Sequence, residues 1–195
     1  QFPMPKAGKG CAVVKMIMCL VCGTDKHSYR GETKQYAGTE NEFDVPFPRI
    51  QGHENVGVIV DIDEEGAKNL EFNGQPLKVG DRITWSPDVI CGKCFDCRQH
   101  AGYSWCQNMQ LLYGNNATCT EPPYLFGGFA EYMYLIPGTH VYKVPDGVSN
   151  EIAALAELMS CTMNVDKAKE FYSFSGEGFA VNDTVVVQGV GPLGI

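Results

Sequence analysis

A run of four closely spaced cysteines constrains the middle of this chain more than any other feature of its sequence. The four are Cys91, Cys94, Cys97 and Cys106, with gaps of two, two and eight residues. Two-residue gaps let successive sulfurs turn onto one ion, and four thiolates close a tetrahedral shell around zinc. The spacing therefore predicts a structural zinc lobe over about residues 88–110. An iron–sulfur cluster accepts similar spacing and stays an alternative, whereas a redox dithiol needs only one such pair.

The number of cysteines indicates the cellular compartment of the chain. The 195 residues hold nine cysteines, an odd number, whereas a secreted disulfide scaffold is normally shorter and evenly paired. We therefore expect free thiols and a cytoplasmic location.

Charge and hydropathy exclude two classes of partner. The formal net charge is −8, and lysine and arginine form no cluster, so nucleic acid is not an expected partner. No apolar run reaches the roughly 18 residues of a membrane-spanning helix, so no membrane association is expected.

The first 150 residues carry the pattern of a β-rich domain. Short runs rich in β-branched and aromatic residues predict strands over 11–20, 55–62, 129–136 and 141–144, and residues 78–84 predict a turn entering a further strand. Glycine and proline separate these runs, and residues 28–49 are predicted to form a long loop. Many short strands separated by glycine and proline favour a β-rich, barrel-like domain over residues 1–150.

The pattern changes after residue 150. Residues 151–171 contain neither glycine nor proline, and Ile152, Leu155, Met159 and Met163 recur at helical spacing, with Ser149 as the predicted N-cap. Residues 183–188 are typical of a short buried parallel strand. A domain boundary is therefore expected between residues 150 and 180, with residues 151–195 beginning a second, α/β domain.

A glycine-rich turn follows that predicted strand. Gly189, Gly191 and Gly194 satisfy Gly-x-Gly-x-x-Gly, with Pro192 and Leu193 between the last two. The first glycine permits a tight turn, the second lets a pyrophosphate approach the backbone, and the third allows close helix packing. The turn predicts a dinucleotide site. The acidic residue that separates NAD from NADP would lie beyond residue 195, so that choice stays open.

A second metal centre is indicated by Cys22, which directly precedes Gly23, and by His53-Glu54, which directly follow Gly52. Three protein ligands with an open position are the catalytic form of a zinc site. Taken alone, Cys22 is more readily explained as a buried structural thiol and His53 as a core histidine than as metal ligands. Glu157 is a further candidate ligand because its helical neighbours are all small, and Cys161, one turn on, is its rival.

Together these motifs resemble the zinc-dependent medium-chain dehydrogenase/reductase family, which includes alcohol, sorbitol and threonine dehydrogenases. The resemblance covers nearly the whole chain, and the motifs occur in the family's order. Besides the cysteine lobe and the glycine-rich turn, they are Cys22-Gly-Thr-Asp-Lys-His27, Gly52-His-Glu54, Val79-Gly-Asp-Arg82, Gly127-Gly-Phe-Ala-Glu-Tyr132 and Val144-Pro-Asp-Gly147.

The resemblance implies a GroES-like zinc catalytic domain followed by the start of a Rossmann nucleotide-binding domain. It implies two zinc ions per chain, one structural and one catalytic, the latter held by Cys22, His53, Glu54 and Glu157. Asp25 would accept the other ring N–H of His53, and Thr24 and His27 match the positions of a proton relay. The implied reaction moves a hydride between an alcohol or polyol, or the matching ketone or aldehyde, and NAD or NADP, in a homodimer or homotetramer.

Two other functions stay open. One is a non-catalytic, zinc-stabilised module used in assembly; the other is an enzyme of the same family that reduces aldehydes and ketones or oxidises hydroxy acids. A glycine-rich turn without its following helix and strands holds a dinucleotide poorly, so residues 1–195 alone are expected to be inactive.

Overall fold

The computed structural model describes residues 1–32, 34–35, 37–39, 42–99, 106–163 and 184–194. Within these ranges the strands are β1 (Ala12–Leu20), β2 (Lys34–Gln35), β3 (Phe43–Asp44), β4 (Glu54–Ile62), β5 (Arg82–Trp85), β6 (Asp88–Val89), β7 (Leu111–Leu112), β8 (Tyr132–Leu135) and β9 (Val141–Lys143). The helices are α1 (Gly23–Tyr29), α2 (Glu64–Asn69), α3 (Phe95–Gln99), α4 (Asn150–Ala154) and α5 (Ala156–Thr162). None of these helices is long and apolar enough to cross a membrane.

The main sheet is antiparallel and has five strands in the order β8-β1-β4-β5-β9. β1 and β4 pair along their whole lengths, from Ala12 opposite Ile62 to Leu20 opposite Glu54. Two small sheets, β2-β3 and β6-β7, lie outside it. The predicted strands of the first 150 residues are therefore confirmed, with boundaries shifted by a few residues.

The hydrophobic core lies against this sheet. Its largest buried cluster draws on all five strands of this sheet, on β6 and β7, and on the loops that cover them. The members are Ala12, Val14, Ile59, Leu70, Leu77, Ile83, Trp85, Val89, Leu111, Tyr113, Met133, Leu135 and Val141. Val13 is buried in a second cluster because the opposite face of β1 is covered as well.

Arg82, the last residue of the Val-Gly-Asp-Arg motif, holds the loop between β9 and α4. Its guanidinium donates to the side-chain oxygen of Asn150 at 2.8 Å and to the carbonyls of Pro145 and Val148 at 2.9 and 2.6 Å. One side chain on β5 thus fixes the loop that leads into α4. Charge-assisted hydrogen bonds of this kind are among the stronger polar contacts in proteins.

The long helix predicted from residue 151 is instead two short helices, with a break at Leu155. Ser149 caps the first as predicted, since its hydroxyl accepts from the N–H of Ile152 at 3.3 Å. Ala153 and Ala154 pack on Val56 of β4, and the larger apolar residues point outward. The exposed ones are Ile152, Leu155, Met159 and Met163. The predicted continuation over residues 164–171 lies outside the described residues.

Residues 184–188 do not form the predicted buried strand. They have no strand pairing among the described residues, and Val185, Val186 and Val187 are exposed. A parallel strand is stable only when neighbouring strands take up its N–H and C=O groups, so an apolar run alone does not make one. The glycine-rich turn after it does form a compact bend, with Gly189 at φ 99° and the N–H of Gly194 donating to the carbonyl of Gly191 at 2.9 Å.

The predicted loop over residues 28–49 is only partly irregular. α1 begins at Gly23 and runs into it, and the short β2-β3 pair lies within it. The sequence pattern concealed α1 because a seven-residue helix is too short to show helical periodicity.

Candidate metal centres

The pairing of β1 with β4 brings Cys22 and His53 together. Leu20 and Glu54 are partners at one end of the antiparallel pair, so the residue two past β1 and the residue just before β4 lie at the same edge. The ligand atoms of Cys22, His53 and Glu54 all lie within 4.8 Å of one another. Residues separated by about 30 positions in sequence are therefore assembled as a potential three-ligand metal site.

Cys22 and His53 also shift each other's protonation. The hydrogen bond to His53 lowers the pKa of the Cys22 thiol, although burial opposes this. Burial works against a charged His53 imidazole, yet the contact with Cys22 and the charge of Asp25 outweigh it, so the pKa of His53 is raised. The pair is thus shifted toward thiolate and imidazolium, and a thiolate is the form of cysteine that binds metals.

Asp25 does not make the hydrogen bond that was expected from the resemblance. Its Oδ1 lies 3.8 Å from His53 Nδ1, too far for a hydrogen bond, and that buried nitrogen has no partner among the described residues. Asp25 instead accepts from the backbone N–H groups of Cys22 at 2.9 Å and Gly52 at 3.1 Å. It therefore joins the two segments that carry the ligands, because backbone donors next to each ligand are closer than the imidazole.

Glu157 lies near the group without belonging to its compact set. Its ligand atoms are not among those mutually within 4.8 Å, although its charge acts on His53 and the charge of Glu54 acts on it. Burial, followed by the charge of Glu54, raises the pKa of Glu157. Cys161 Sγ lies 3.6 Å from Glu157 Oε1, and burial raises its pKa to about 11. Both candidate fourth ligands therefore stand on the same side of the site.

A cavity of about 300 Å³ opens beside Glu157. Its walls come from the turn after β5, from Tyr142 on β9 and from one face of α5. The lining residues are Thr84, Trp85, Ser86, Pro87, Tyr142, Ala156, Glu157 and Ser160. Aromatic and hydroxyl side chains around one carboxylate suit a small, partly polar molecule.

The two predicted relay residues lie on α1. The hydroxyl of Thr24 is 3.8 Å from Cys22 Sγ, so it stands at the metal-ligand group. His27 is one helical turn further along and mostly exposed, with Nδ1 2.5 Å from Glu32 Oε2. Thr24 and His27 are three residues apart and therefore lie on the same side of α1. Together they form a path from the metal-ligand group toward solvent.

Glycines that carried no functional prediction hold His53 in place. Gly128 donates its N–H to the carbonyl of Gly52 at 2.8 Å. A Cβ on Gly127 would lie 1.9 Å from the carbonyl oxygen of Ile50, and one on Gly114 would lie 2.5 Å from that of Gly52. Gly52 itself has a φ of 96°. The adjacent pair at 127–128 is the sequence signal that marks such close backbone packing.

The four cysteines of the lobe come together as predicted. Their sulfur atoms all lie within 4.8 Å of one another, with 3.9 Å between Cys91 and Cys97. Backbone N–H groups point at three of the sulfurs: Cys91 donates to Cys106 at 3.3 Å, Cys94 to Cys91 at 3.4 Å and Cys97 to Cys94 at 3.5 Å. All nine cysteines of the chain are free thiols.

The crowded sulfurs of the lobe perturb one another. Backbone N–H groups of Lys93 and Cys94 lower the pKa of Cys91 to about 6. Partial burial and the neighbouring sulfurs raise the pKa of Cys97 to about 12. Four thiolates this close repel one another, so full ionisation of the lobe needs a cation among them.

Comparison with known proteins identifies the family. A model of the alcohol dehydrogenase GroES-like domain matches residues 8–146. The chain belongs to the zinc-dependent medium-chain dehydrogenase family. An L-threonine 3-dehydrogenase from Mesorhizobium japonicum is 31% identical to this chain, over 100% of it and 47% of the relative.

Solved structures agree with that assignment. An alcohol dehydrogenase from Thermotoga maritima superposes with a TM-score of 0.76 at 33% identity, covering 99% of this chain and 48% of the other. An alcohol dehydrogenase from Escherichia coli in complex with NADH superposes with a TM-score of 0.62 at 28% identity, covering 86% and 40%. The chain thus spans about half the length of the relatives it matches.

Proposed function

We propose that the protein is a zinc-dependent oxidoreductase that moves a hydride between an alcohol or polyol, or the matching ketone or aldehyde, and NAD or NADP. The observation that carries this proposal is the group of half-buried Cys22 with buried His53 and Glu54, which has the Thr24 hydroxyl beside it. The relative from Escherichia coli, whose structure contains NADH, supports the choice of cofactor class.

The donor set fits a catalytic zinc. Cys22 and His53 would hold it, with Glu54 and Glu157 as ligands or near ligands, and Cys161 as the rival of Glu157. A thiolate, an imidazole and a carboxylate together suit zinc better than magnesium or calcium, which prefer oxygen ligands. When bound, zinc supplies Lewis-acid polarisation of the substrate oxygen, and the nicotinamide supplies the hydride acceptor or donor.

Residues of the chain would bind the substrate and transfer its proton. The cavity beside Glu157 would hold the part of the substrate next to its reacting carbon. Thr24 would take up the hydroxyl proton, and His27 would pass it on to solvent. A non-catalytic assembly module, the alternative function, gives no role to a hydroxyl placed against a metal-binding thiol.

A second, structural zinc is proposed for the cysteine lobe. Zinc–sulfur bonds of about 2.3 Å in a tetrahedron imply sulfur–sulfur distances of about 3.8 Å. The 3.9 Å between Cys91 and Cys97 agrees with a single ion, whereas an iron–sulfur cluster places several metal atoms between its thiolates.

The glycine-rich turn is proposed to begin the nucleotide site through Gly189, Gly191, Pro192, Leu193 and Gly194. Its backbone bend supports this, since only glycine adopts φ 99° readily at the first position. Assembly into a homodimer or homotetramer and a cytoplasmic location stay predictions.

The direct test is turnover by a form of the protein that carries a complete nucleotide-binding domain. It is assayed with NAD and NADP against alcohols, polyols and hydroxy acids, and in reverse with ketones and aldehydes. We expect turnover with at least one combination of cofactor and substrate. Cys22→Ser should abolish this turnover and still retain the zinc of the cysteine lobe. A zinc-replete protein that turns over no member of these classes would contradict the proposal.

A further inference from the structure

The end of α1 is closed by a motif that fixes what lies next to His27. Gly31 has a φ of 85°, its N–H donates to the carbonyl of Ser28 at 3.0 Å, and the N–H of Glu32 donates to the carbonyl of His27 at 3.1 Å. This pair of hydrogen bonds across a left-handed glycine is the Schellman motif. The chain therefore reverses at Gly31 and returns along the last turn of the helix.

That reversal places the side chain of Glu32 on the side chain of His27. In this motif the residue after the glycine commonly makes an apolar contact with the residue five positions earlier. Here the contact is polar, with Glu32 Oε2 2.5 Å from His27 Nδ1. Glu32 therefore contacts His27 through both its backbone and its side chain.

We propose that Glu32 is a positioning residue for His27. A carboxylate has no proton to donate, so in this contact Nδ1 of the imidazole must be the donor. The neutral ring then carries its proton on Nδ1 and leaves Nε2 free to accept one. This inference rests on the proposed function, in which His27 is the outer member of the proton relay.

In the proposed proton transfer, one defined nitrogen of His27 accepts the proton. A proton released at the Thr24 hydroxyl arrives at Nε2 of His27, the ring keeps its proton on Nδ1, and the resulting imidazolium faces the negative charge of Glu32. Nε2 then releases the proton to water. A ring with the other tautomer would present Nε2–H to the relay and would have to turn over before accepting a proton.

The contact contributes orientation rather than stability. The side chains of His27 and Glu32 are 60% and 57% exposed, and exposed ion pairs contribute little to the free energy of folding. A free-energy difference of that small size is enough to favour one tautomer of the imidazole over the other. A threefold to fivefold preference corresponds to about 1 kcal/mol or less, which is within the range of such pairs.

The test measures the tautomer of His27 directly. Imidazole ¹⁵N shifts are recorded at alkaline pH, where histidines are neutral, for the wild type, Glu32→Gln and Glu32→Ala, and His27→Gln assigns the resonances. The matched control is Glu64→Gln, which removes another exposed carboxylate, 2.7 Å from Lys68. We expect the ratio of Nδ1–H to Nε2–H to be the same in the wild type and in the control, and to fall about threefold to fivefold in both Glu32 variants.

An unchanged ratio in both Glu32 variants would overturn the inference, whether or not the protein is a dehydrogenase. In a form with a complete nucleotide-binding domain, Glu32→Gln is expected to lower kcat about threefold at unchanged KM, with partial rescue by added imidazole. Unchanged kcat despite a changed tautomer would overturn the positioning role. If the Glu32 variants change the tautomer ratio but the zinc-replete wild type shows no turnover, the proposed function is overturned and the His27–Glu32 contact stands.

Discussion

Asp25 accepts a hydrogen bond from the backbone N–H of Gly52 at 3.1 Å, and with its other oxygen it accepts from the N–H of Cys22 at 2.9 Å. One buried carboxylate thus fastens the start of α1 to the turn before β4. Because His53 follows Gly52 directly, the distance between the side chains of Cys22 and His53, the two candidate metal ligands, depends on this carboxylate. Asp25 therefore acts through the backbone rather than through the imidazole.

Replacing Asp25 with alanine should loosen both segments. It leaves two backbone N–H groups without their acceptor in a buried place, which costs about 1–3 kcal/mol in the free energy of unfolding. Asp25→Asn keeps one acceptor oxygen and should lose less. Urea unfolding measures this, with the exposed Asp146→Ala as the control, expected to stay within about 0.5 kcal/mol of the wild type. Equal stability of Asp25→Ala and Asp146→Ala would contradict the role.

Zinc content distinguishes the two metal centres. Elemental analysis of the purified chain should give two zinc ions, and Cys22→Ser should give one, because serine replaces the thiolate of the catalytic site only. Cys119→Ser removes a free thiol outside both groups and should retain two. Two zinc ions in Cys22→Ser would remove Cys22 from the ligand set.

The glycine packing behind His53 should tolerate no side chain. Gly127→Ala would place Cβ 1.9 Å from the carbonyl oxygen of Ile50, so the backbone must move. We expect a loss of about 3 kcal/mol in stability, as for severe overpacking, together with weaker zinc binding at Cys22 and His53. Gly147→Ala is the control because no atom lies within 4 Å of its added Cβ. Similar unfolding midpoints for the two variants would show that the close contact is not rigid.

Asp88 should make stability depend on pH in the metal-free protein. Burial, and then the charge of Glu157, raises its pKa from 3.8 to about 6 in the folded state. The folded form therefore binds more protons than the unfolded form between those values, and its stability falls as pH rises from about 4 to 6. Asp88→Asn removes this loss and should be more stable at neutral pH by on the order of 2 kcal/mol.

The comparison is made by urea unfolding at several pH values after chelation of metals. The difference in unfolding free energy between Asp88→Asn and the wild type should grow from acid to neutral pH and then level off. A difference that is constant over the whole range would contradict the raised pKa of Asp88.

The cysteine lobe and the strand pattern could be predicted from sequence because their causes are local. Two-residue gaps bring the sulfurs of Cys91, Cys94 and Cys97 into reach of one another whatever surrounds them. Alternating and β-branched residues select the strands, and a serine before a helix caps it, as Ser149 does. Even the left-handed bends at Gly52 and Gly189 follow from the absence of a side chain.

The sequence by itself determined the strands of the main sheet, the cysteine lobe and the residue types available for catalysis. Tertiary structure alone decided that Cys22 and His53 meet, because that depends on which strands pair and in what register. It decided that Asp25 holds backbone N–H groups instead of the imidazole, and that Ile152 and Met159 point away from the sheet while Ala153 and Ala154 pack on it. Contacts between distant segments depend on how those segments pack, and the spacing of residues along one segment does not determine that packing.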